Sequence, residues 1–146
     1  MCPVCWRHFV GTSGTDMAFY LDTSALVKLV VAEPETDVLR EWLVEADRQP
    51  VAGDLVRTEL MRAVRRAAPD RLVRVREVLD GLILLELETS VFVEAGRLEP
   101  AELRSLDALH VASALSLGDD LQGIVTYDER LATAAEANGV PALAPA

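Results

Sequence analysis

The sequence contains little cysteine, few basic residues and no long apolar run, and each shortage excludes a class of protein. Acidic residues outnumber basic ones 24 to 14, so the net charge is −10. Such a surface repels nucleic acid as a whole, and any nucleic-acid role depends on a local basic patch or on metal ions. No apolar stretch approaches the roughly 18 residues of a membrane helix, and the N-terminus lacks the apolar segment of a secretory signal. We therefore expect a cytoplasmic protein with no membrane partner.

The two cysteines, Cys2 and Cys5, form a Cys-x-x-Cys group near the start of the chain, with His8 just beyond it. Such a group can supply half of a zinc site or a redox pair. A zinc site needs four ligands, and no other cysteine exists to complete it. A redox motif of the thioredoxin type lies near a βαβ unit, whereas this group opens the chain. We expect residues 1–16 to be a disordered extension, with Met17 as an alternative start of the native protein.

Residues 17–146 have the composition and patterning of one folded domain. Apolar residues make up 51% of the chain, which is too many for disorder and enough to bury a core. Short apolar runs that suit strands alternate with segments of helical periodicity. The expected strands are residues 18–22, 50–53, 82–87, 123–127 and 142–143. This alternation predicts an α/β fold with a mainly parallel central sheet of four to five strands flanked by helices.

Polar residues just ahead of several helical segments are candidate caps. Either Thr23 or Ser24 can cap the first helix, Asp54 can cap a helix that runs to about residue 68, and Ser105 can cap a helix that reaches Leu117. The long apolar run at residues 82–87 has no alternation, which is typical of a strand buried in a parallel sheet.

Four acidic residues stand out by their positions relative to these elements. Asp22 and Asp128 each end an expected strand and precede an expected helix, so they share the edge where α/β proteins bind ligands. Glu59 lies within a helix, and Asp107 lies in the first turn of a helix among apolar neighbours. Each acid also has an ordinary explanation. Asp22 and Asp128 can each cap the helix that follows, and an acid in the first helical turn is favoured by the helix dipole. Glu59 can form an ion pair with Arg62 three residues later.

Together the four acids predict a metal site. Converging carboxylates raise one another's pKa and destabilise the fold unless a cation neutralises them. Oxygen-only ligands suit Mg²⁺ or Mn²⁺ rather than zinc. A Mg²⁺ ion held by a few carboxylates is the usual apparatus of phosphodiester hydrolysis, because it lowers the pKa of its bound water and clamps the phosphate oxygens. No serine, cysteine or histidine nucleophile arrangement competes for this role.

Four short segments carry a pattern that points to one family. They read YLDTSALVKL at residues 20–29, RTEL at 57–60, LDALHVASAL at 106–115 and VTYD at 125–128. In order and spacing they resemble the PIN-domain nucleases, and in particular the VapC-like toxins of bacterial type II toxin–antitoxin pairs. The resemblance spans residues 17–146. It implies a single PIN-like domain, Mg²⁺- or Mn²⁺-dependent endoribonuclease activity, dimerisation, and inhibition by a small cognate antitoxin.

The resemblance also assigns roles to individual residues. The family's acidic quartet, catalytic and metal-binding, falls on Asp22, Glu59, Asp107 and Asp128. Thr126 falls on the polar position before the last acid, and Thr23 and Ser24 are supporting residues that either cap the helix or help to hold the metal's waters. His110 lies one helical turn after Asp107, and we expect it to bond locally or to pack rather than to act in catalysis.

Arginine is concentrated next to one of these acids. Residues 57–76 hold seven of the chain's 14 basic residues, and the segment begins beside Glu59. Arginine contacts to phosphate position a strand without reading its sequence and make binding salt-dependent. The predicted RNA-binding residues are Arg57, Arg62, Arg65 and Arg66. The alternative is an ordinary solvated helix face.

Three other functions share part of this pattern. A PIN-fold binding module without catalysis and a stand-alone RNA-processing nuclease both fit the fold. A phosphatase of the haloacid-dehalogenase type also uses an aspartate after its first strand. That chemistry needs a second acid two residues later, where this chain has Ser24.

Overall fold

The computed structural model describes residues 17–146, so the expectations for Cys2, Cys5 and residues 1–16 lie outside the described residues. The described chain forms one sheet of five parallel strands in the order β3-β2-β1-β4-β5. The strands are β1 Ala18–Leu21, β2 Gln49–Gly53, β3 Ile83–Leu85, β4 Leu121–Val125 and β5 Ala142–Leu143. The expected α/β class and parallel sheet are confirmed.

Seven α-helices connect and cover these strands within residues 17–146. They are α1 Thr23–Val30, α2 Thr36–Val44, α3 Leu55–Ala67, α4 Leu72–Asp80, α5 Thr89–Ala95, α6 Ser105–Leu115 and α7 Glu129–Ala137. Gly118 follows α6 with φ of +59°, a conformation that glycine adopts without strain. No helix among the described residues is both long enough and apolar enough to cross a bilayer.

The side chains of β1 alternate between two helical layers, as the geometry of a strand requires. Phe19 and Leu21 join the larger core, which also takes in the buried faces of α1 to α4. Tyr20 points to the opposite face, where it packs with Ala114 of α6 and Ala135 of α7. One strand therefore anchors both layers, and the layer that contains α6 receives the only polar side chain of β1.

The centre of the sheet defines the functional edge. The chain runs from β1 outward to β2 and β3 and then returns to the other side of β1 as β4. The crevice between the carboxyl ends of β1 and β4 is therefore the topological switch point, where α/β folds bind ligands. Leu21 pairs with Val125, so the residues that follow them, Asp22 and Thr126, lie side by side at this crevice.

Two strands differ from their expected ranges. β4 ends at Val125, so Asp128 lies three residues beyond the strand, and Thr126 occupies the position opposite Asp22. β3 has three residues rather than six and lies at the sheet edge, where Ile83 is 41% exposed. Its ladder is short because its one neighbour, β2, offers only three pairing positions. The expectation of a buried strand at 82–87 is wrong, because an apolar run does not show whether a strand is central or at the edge.

Two expected helix caps are also wrong. Asp54 precedes α3, but its side chain makes no capping hydrogen bond. It pairs instead with Arg57, at 2.9 Å between Oδ1 and Nε. Ser105 is the first residue of α6, and Arg104 holds the cap position without a side-chain bond. In both cases the polar residue is close to the helix start, but its backbone or side-chain geometry does not suit capping.

Candidate active site

Asp22 is the most constrained acid of the site. It is 4% exposed. Its Oδ1 accepts hydrogen bonds from the Ser24 hydroxyl at 2.7 Å and the Ala25 N–H at 3.1 Å, and its Oδ2 accepts one from the Thr126 hydroxyl at 2.7 Å. Asp22 itself is therefore the cap of α1, and the expectation that Thr23 or Ser24 caps this helix is wrong.

The surroundings of Asp22 place a buried negative charge at the end of β1. Burial raises the pKa of its carboxyl above the ordinary value, and the hydrogen bonds from Ser24, Thr126 and Ala25 oppose that rise. The N-terminus of α1 adds a favourable dipole. Burying a carboxylate is costly even with hydrogen bonds. A cation at this edge would offset the remaining cost.

Asp128 is tied to Asp22 through shared hydroxyl groups. The backbone N–H of Asp128 donates to the Thr126 hydroxyl at 3.0 Å, and that hydroxyl donates to Asp22. Ser24, which donates to Asp22, also accepts the N–H of the residue that follows Thr126, at 2.8 Å. The carboxylate of Asp128 is exposed and caps α7 by accepting the Arg130 N–H at 2.9 Å. These hydrogen bonds fix the backbone that follows β4 against Asp22, so the two acids are held near the switch point.

Glu59 reaches toward the same edge from α3. Its Oε1 accepts the Thr23 hydroxyl at 2.7 Å and lies 2.7 Å from Nε2 of His110. The expected ion pair with Arg62 does not form in the described part of the chain. Burial alone would raise the pKa of Glu59, but the hydrogen bonds and charge of His110 and the hydrogen bond from Thr23 outweigh it and leave the pKa below its usual value. Glu59 is therefore ionised at neutral pH.

Asp107 lies in the first turn of α6, as expected. Burial raises the pKa of its carboxyl, and the negative charge of Asp128 raises it further. Asp107 also lines an open cavity of about 550 Å³, together with Arg104, Glu129 and Arg130. The repulsion between Asp107 and Asp128 shows that α6 and the start of α7 bring these acids into one electrostatic environment.

The four acids share one edge but do not form a tight cluster. Across residues 17–146, no group of three or more His, Cys, Asp or Glu side chains lies close enough to hold an ion. Mg²⁺ is usually bound through one or two carboxylates and keeps several waters, so an oxygen-ligated ion remains chemically compatible with this edge. The metal-binding roles of the four acids stay predictions.

Two residues bonded to the site had no role there in the sequence-based prediction. His110 is 3% exposed and does not bond locally; its ring nitrogens reach Glu59 and the hydroxyl of Tyr20. A polar imidazole in the apolar segment around Val111 was the available signal. Tyr20 gave no signal, because an aromatic residue in a strand is ordinary.

The predicted RNA-binding arginines lie along α3. Arg57 pairs with Asp54. The side chains of Arg62, Arg65 and Arg66 are exposed. Arg104 and Arg130, which sequence reasoning did not single out, line the cavity beside Asp107. Basic groups are therefore exposed along α3, the helix that carries Glu59, and also line the cavity beside Asp107.

This sheet order, with acids at the switch point, belongs to a recognisable class. A family model described as the PIN domain matches residues 19–137. The solved structure of VapC20 from Mycobacterium tuberculosis, a Sarcin-Ricin loop cleaving toxin, is similar with a TM-score of 0.68 at 16% identity, covering 87% of this chain and 99% of that one. VapBC2 from Rickettsia felis, bound to a promoter DNA fragment, has a TM-score of 0.64 at 15% identity, with 89% and 100% coverage. These similarities establish the fold.

Sequence relatives narrow the class. Ribonuclease VapC46 of Mycobacterium tuberculosis is 45% identical over 129 residues, which cover 88% of this chain and 98% of the relative. Ribonuclease VapC47 of the same species is 47% identical over 116 residues, which cover 77% and 85%. The chain belongs to the PIN-domain family and, within it, to the VapC ribonucleases.

Proposed function

We propose that this chain is a Mg²⁺- or Mn²⁺-dependent endoribonuclease that acts as the toxin of a toxin–antitoxin pair. The observation that carries the proposal is the buried Asp22, held at the switch point by the hydroxyls of Ser24 and Thr126. Burying a carboxylate costs free energy, so a buried acid at a ligand-binding edge indicates a functional role. The relatives named ribonucleases support hydrolysis of RNA as that role.

The donor set at this edge fits a divalent ion. The ligands would be carboxylates alone, from Asp22, Glu59, Asp107 and Asp128, and such oxygen ligands suit Mg²⁺ and Mn²⁺. Burial raises the pKa of Asp22 and of Asp107, so ionising either carboxyl here is costly and a bound cation would offset that cost. When bound, the ion would lower the pKa of a coordinated water and offset the charge of the scissile phosphate.

The chain's own residues orient these ligands. Ser24 donates to Oδ1 of Asp22 and Thr126 donates to Oδ2, so the two hydrogen bonds fix the plane of the carboxylate. Thr23 donates to Oε1 of Glu59, and no described residue donates to Oε2. The hydroxyl groups thus hold the acids in place and leave ligand positions free. Thr23, Ser24 and Thr126 act as supporting residues in this proposal.

RNA would approach along the exposed arginines. Arg62, Arg65 and Arg66 extend along α3 from Glu59, and Arg104 and Arg130 lie beside Asp107. Against a net charge of −10, these groups offer local attraction for phosphate and would steer the strand across the acids. Arg57 contributes less, because Asp54 already neutralises it.

The proposal includes three partners and a location. These are RNA, a small cognate antitoxin and a second copy of the chain, all in the cytoplasm. The Rickettsia felis neighbour is a VapBC assembly, which supports an antitoxin partner. Phe92 and Val93 on α5 and Leu106 on α6 are large apolar side chains about half exposed, and dimerisation would cover them. Light scattering of the purified protein measures the dimer, and co-purification with the product of a neighbouring reading frame measures the antitoxin.

RNA cleavage tests the activity directly. The purified chain with Mg²⁺ or Mn²⁺ should cut single-stranded RNA internally, and Asp22→Asn should abolish cutting. Asp119→Asn is the matched control, since Asp119 is an exposed acid in the 3-10 turn after α6 and is not one of the quartet. Cleavage that persists in EDTA, or that survives Asp22→Asn, would overturn the mechanism. RNA binding without turnover would support the binding-module alternative.

A growth assay tests the toxin role. Induced expression should arrest growth of the host cell, and co-expression of the cognate antitoxin should relieve the arrest. An active nuclease that leaves growth unaffected, with no antitoxin reading frame beside its gene, would support the stand-alone RNA-processing role.

A further inference from the structure

A chain of hydrogen bonds runs from the middle of the sheet to Glu59. The Tyr20 hydroxyl accepts the Gly53 backbone N–H at 3.0 Å and lies 2.7 Å from Nδ1 of His110. Nε2 of the same imidazole lies 2.7 Å from Oε1 of Glu59. Tyr20 and His110 are 0% and 3% exposed, so water does not compete for these bonds. Four elements, β1, β2, α6 and α3, meet in this chain.

The two ends of this chain set the directions of its hydrogen bonds. The Tyr20 hydroxyl accepts the Gly53 N–H, and burial raises the pKa of Tyr20, so the hydroxyl keeps its own proton. Glu59 is ionised, and a carboxylate only accepts hydrogen bonds. Nε2 of His110 therefore carries a proton and donates it to Glu59.

The start of this chain is rigid. A Cβ atom on Gly53 would lie 2.9 Å from the Tyr20 hydroxyl and 2.8 Å from the Ser113 hydroxyl. Only glycine allows the backbone of β2 to approach this closely. The imidazole thus receives its orientation from two paired strands, which are among the stiffest parts of the fold.

Glu59 needs such an anchor. Its side chain is long and 23% exposed, and a glutamate of this kind samples several rotamers and loses entropy when it is fixed. Thr23 and His110 both donate to Oε1. This pattern fixes one oxygen and leaves the other without a donor among the described residues.

We propose that His110 is a positioning residue that holds the Glu59 carboxylate for ion binding through the buried Tyr20–His110–Glu59 relay. The inference rests on the proposed function, since Glu59 is a ligand only if an ion binds at this edge. It assigns to His110 a role that acts through Glu59 and does not require contact with RNA. Partners that orient a ligand in this way commonly contribute 10- to 100-fold in metal affinity or activity.

Two substitutions of His110 separate positioning from packing. In His110→Gln the amide nitrogen lies near the place of Nε2 and can donate to Glu59. In His110→Asn the shorter amide reaches the place of Nδ1 and faces Tyr20 alone. Both variants remove the ring, and the smaller Asn leaves the larger cavity. Unfolding of each variant in EDTA therefore measures its packing loss separately from its Mn²⁺ affinity.

Mn²⁺ affinity by calorimetry is the primary readout, and single-stranded RNA cleavage is the second. We expect His110→Asn to weaken Mn²⁺ binding and lower kcat by about tenfold or more, with KM for RNA unchanged. His110→Gln should retain most of both. Equal losses in two folded variants, or no loss in His110→Asn, would overturn the proposal.

A third variant covers the case in which a His110 variant does not fold. Tyr20→Phe keeps the aromatic packing and the imidazole but removes the anchor. We expect a measurable fall in Mn²⁺ affinity, and unchanged affinity with unchanged kcat would overturn the relay. Wild-type protein that binds Mn²⁺ but does not cut RNA would refute the proposed nuclease and leave the positioning role to be decided by the Mn²⁺ affinities. Wild-type protein that does not bind Mn²⁺ would overturn both proposals.

Discussion

The two tyrosines of the chain make a matched pair for testing the buried relay by stability alone. Tyr20→Phe removes a hydroxyl that accepts the Gly53 N–H and is hydrogen-bonded to Nδ1 of His110. Tyr127→Phe removes a hydroxyl that donates to the carbonyl of Pro145 at 2.6 Å, near the surface. Each change deletes one oxygen atom and leaves the ring in place. The two variants therefore differ chiefly in what the lost hydroxyl leaves behind.

The expected loss in the free energy of unfolding follows from the polar groups that each variant leaves without a hydrogen-bond partner. Tyr20→Phe leaves a buried N–H and a buried ring nitrogen unpaired, and each such group costs about 1–3 kcal/mol. The Ser113 hydroxyl has no partner among the described residues and lies near Gly53. A small shift would let it accept that N–H, so we expect the lower end, about 2 kcal/mol in the free energy of unfolding. Water can satisfy the Pro145 carbonyl, so Tyr127→Phe should cost about 0.5–1 kcal/mol.

Urea unfolding followed by circular dichroism measures the difference. The experiment uses EDTA throughout, because a bound ion would stabilise the folded state by mass action. For a domain of this size, a loss of about 2 kcal/mol corresponds to a fall of roughly 6–8 °C in Tm. If Tyr20→Phe destabilises the fold no more than Tyr127→Phe, the buried hydrogen bonds of Tyr20 do not contribute the expected free energy of unfolding.

Three further outcomes are expected. Gly53→Ala should cost about 1–3 kcal/mol in unfolding free energy by overpacking, because its Cβ would crowd the Tyr20 hydroxyl; unchanged stability would contradict this. Burial raises the pKa of Asp22, so folding favours the protonated acid and wild-type stability falls as the pH rises through the raised pKa. Asp22→Asn should remove that fall, and in EDTA at pH 7 it should be the more stable protein although it is inactive; a lower Tm would contradict the sign. Replacing Arg65 and Arg66 together by Gln should reduce the salt dependence of single-stranded RNA binding by about 1.4 in log–log slope if both contact phosphate, and an unchanged slope would remove them from the interface.

The elements of the fold were predictable because each has a local signature. The apolar run before Asp22, the periodic residues of α3 and α6, and the glycine at 118 all follow from short-range geometry. The sheet order was also accessible in outline, since alternating strands and helices favour parallel pairing. The errors fall where an element's neighbours decide its state. The strand expected at 82–87 is shorter in the structure because it pairs only with β2, and a sequence pattern does not show how many neighbours a strand has.

The site was predictable in its acids and not in their connections. Asp22 and Asp128 were found from their positions after strands, although the register of β1 and β4 gives the place opposite Asp22 to Thr126. Glu59 was assigned a surface ion pair as its ordinary alternative, because local spacing favours Arg62. The actual partners, Thr23 and His110, are 36 and 51 residues away in the chain. Hydrogen bonds at such separations depend on packing.

The sequence by itself determined the α/β class and the family and singled out four candidate acids, because periodicity, composition and motif spacing are properties of the chain. The tertiary structure chose Asp22 over Thr23 and Ser24 as the cap of α1, and it alone decided that Ser24 and Thr126 hold Asp22. It also decided that His110 joins Tyr20 to Glu59. The physical reason is that β1 sends alternate side chains to opposite layers, so the orientation of one tyrosine, set by the sheet, determines the anchor of an acid on a helix far away in sequence.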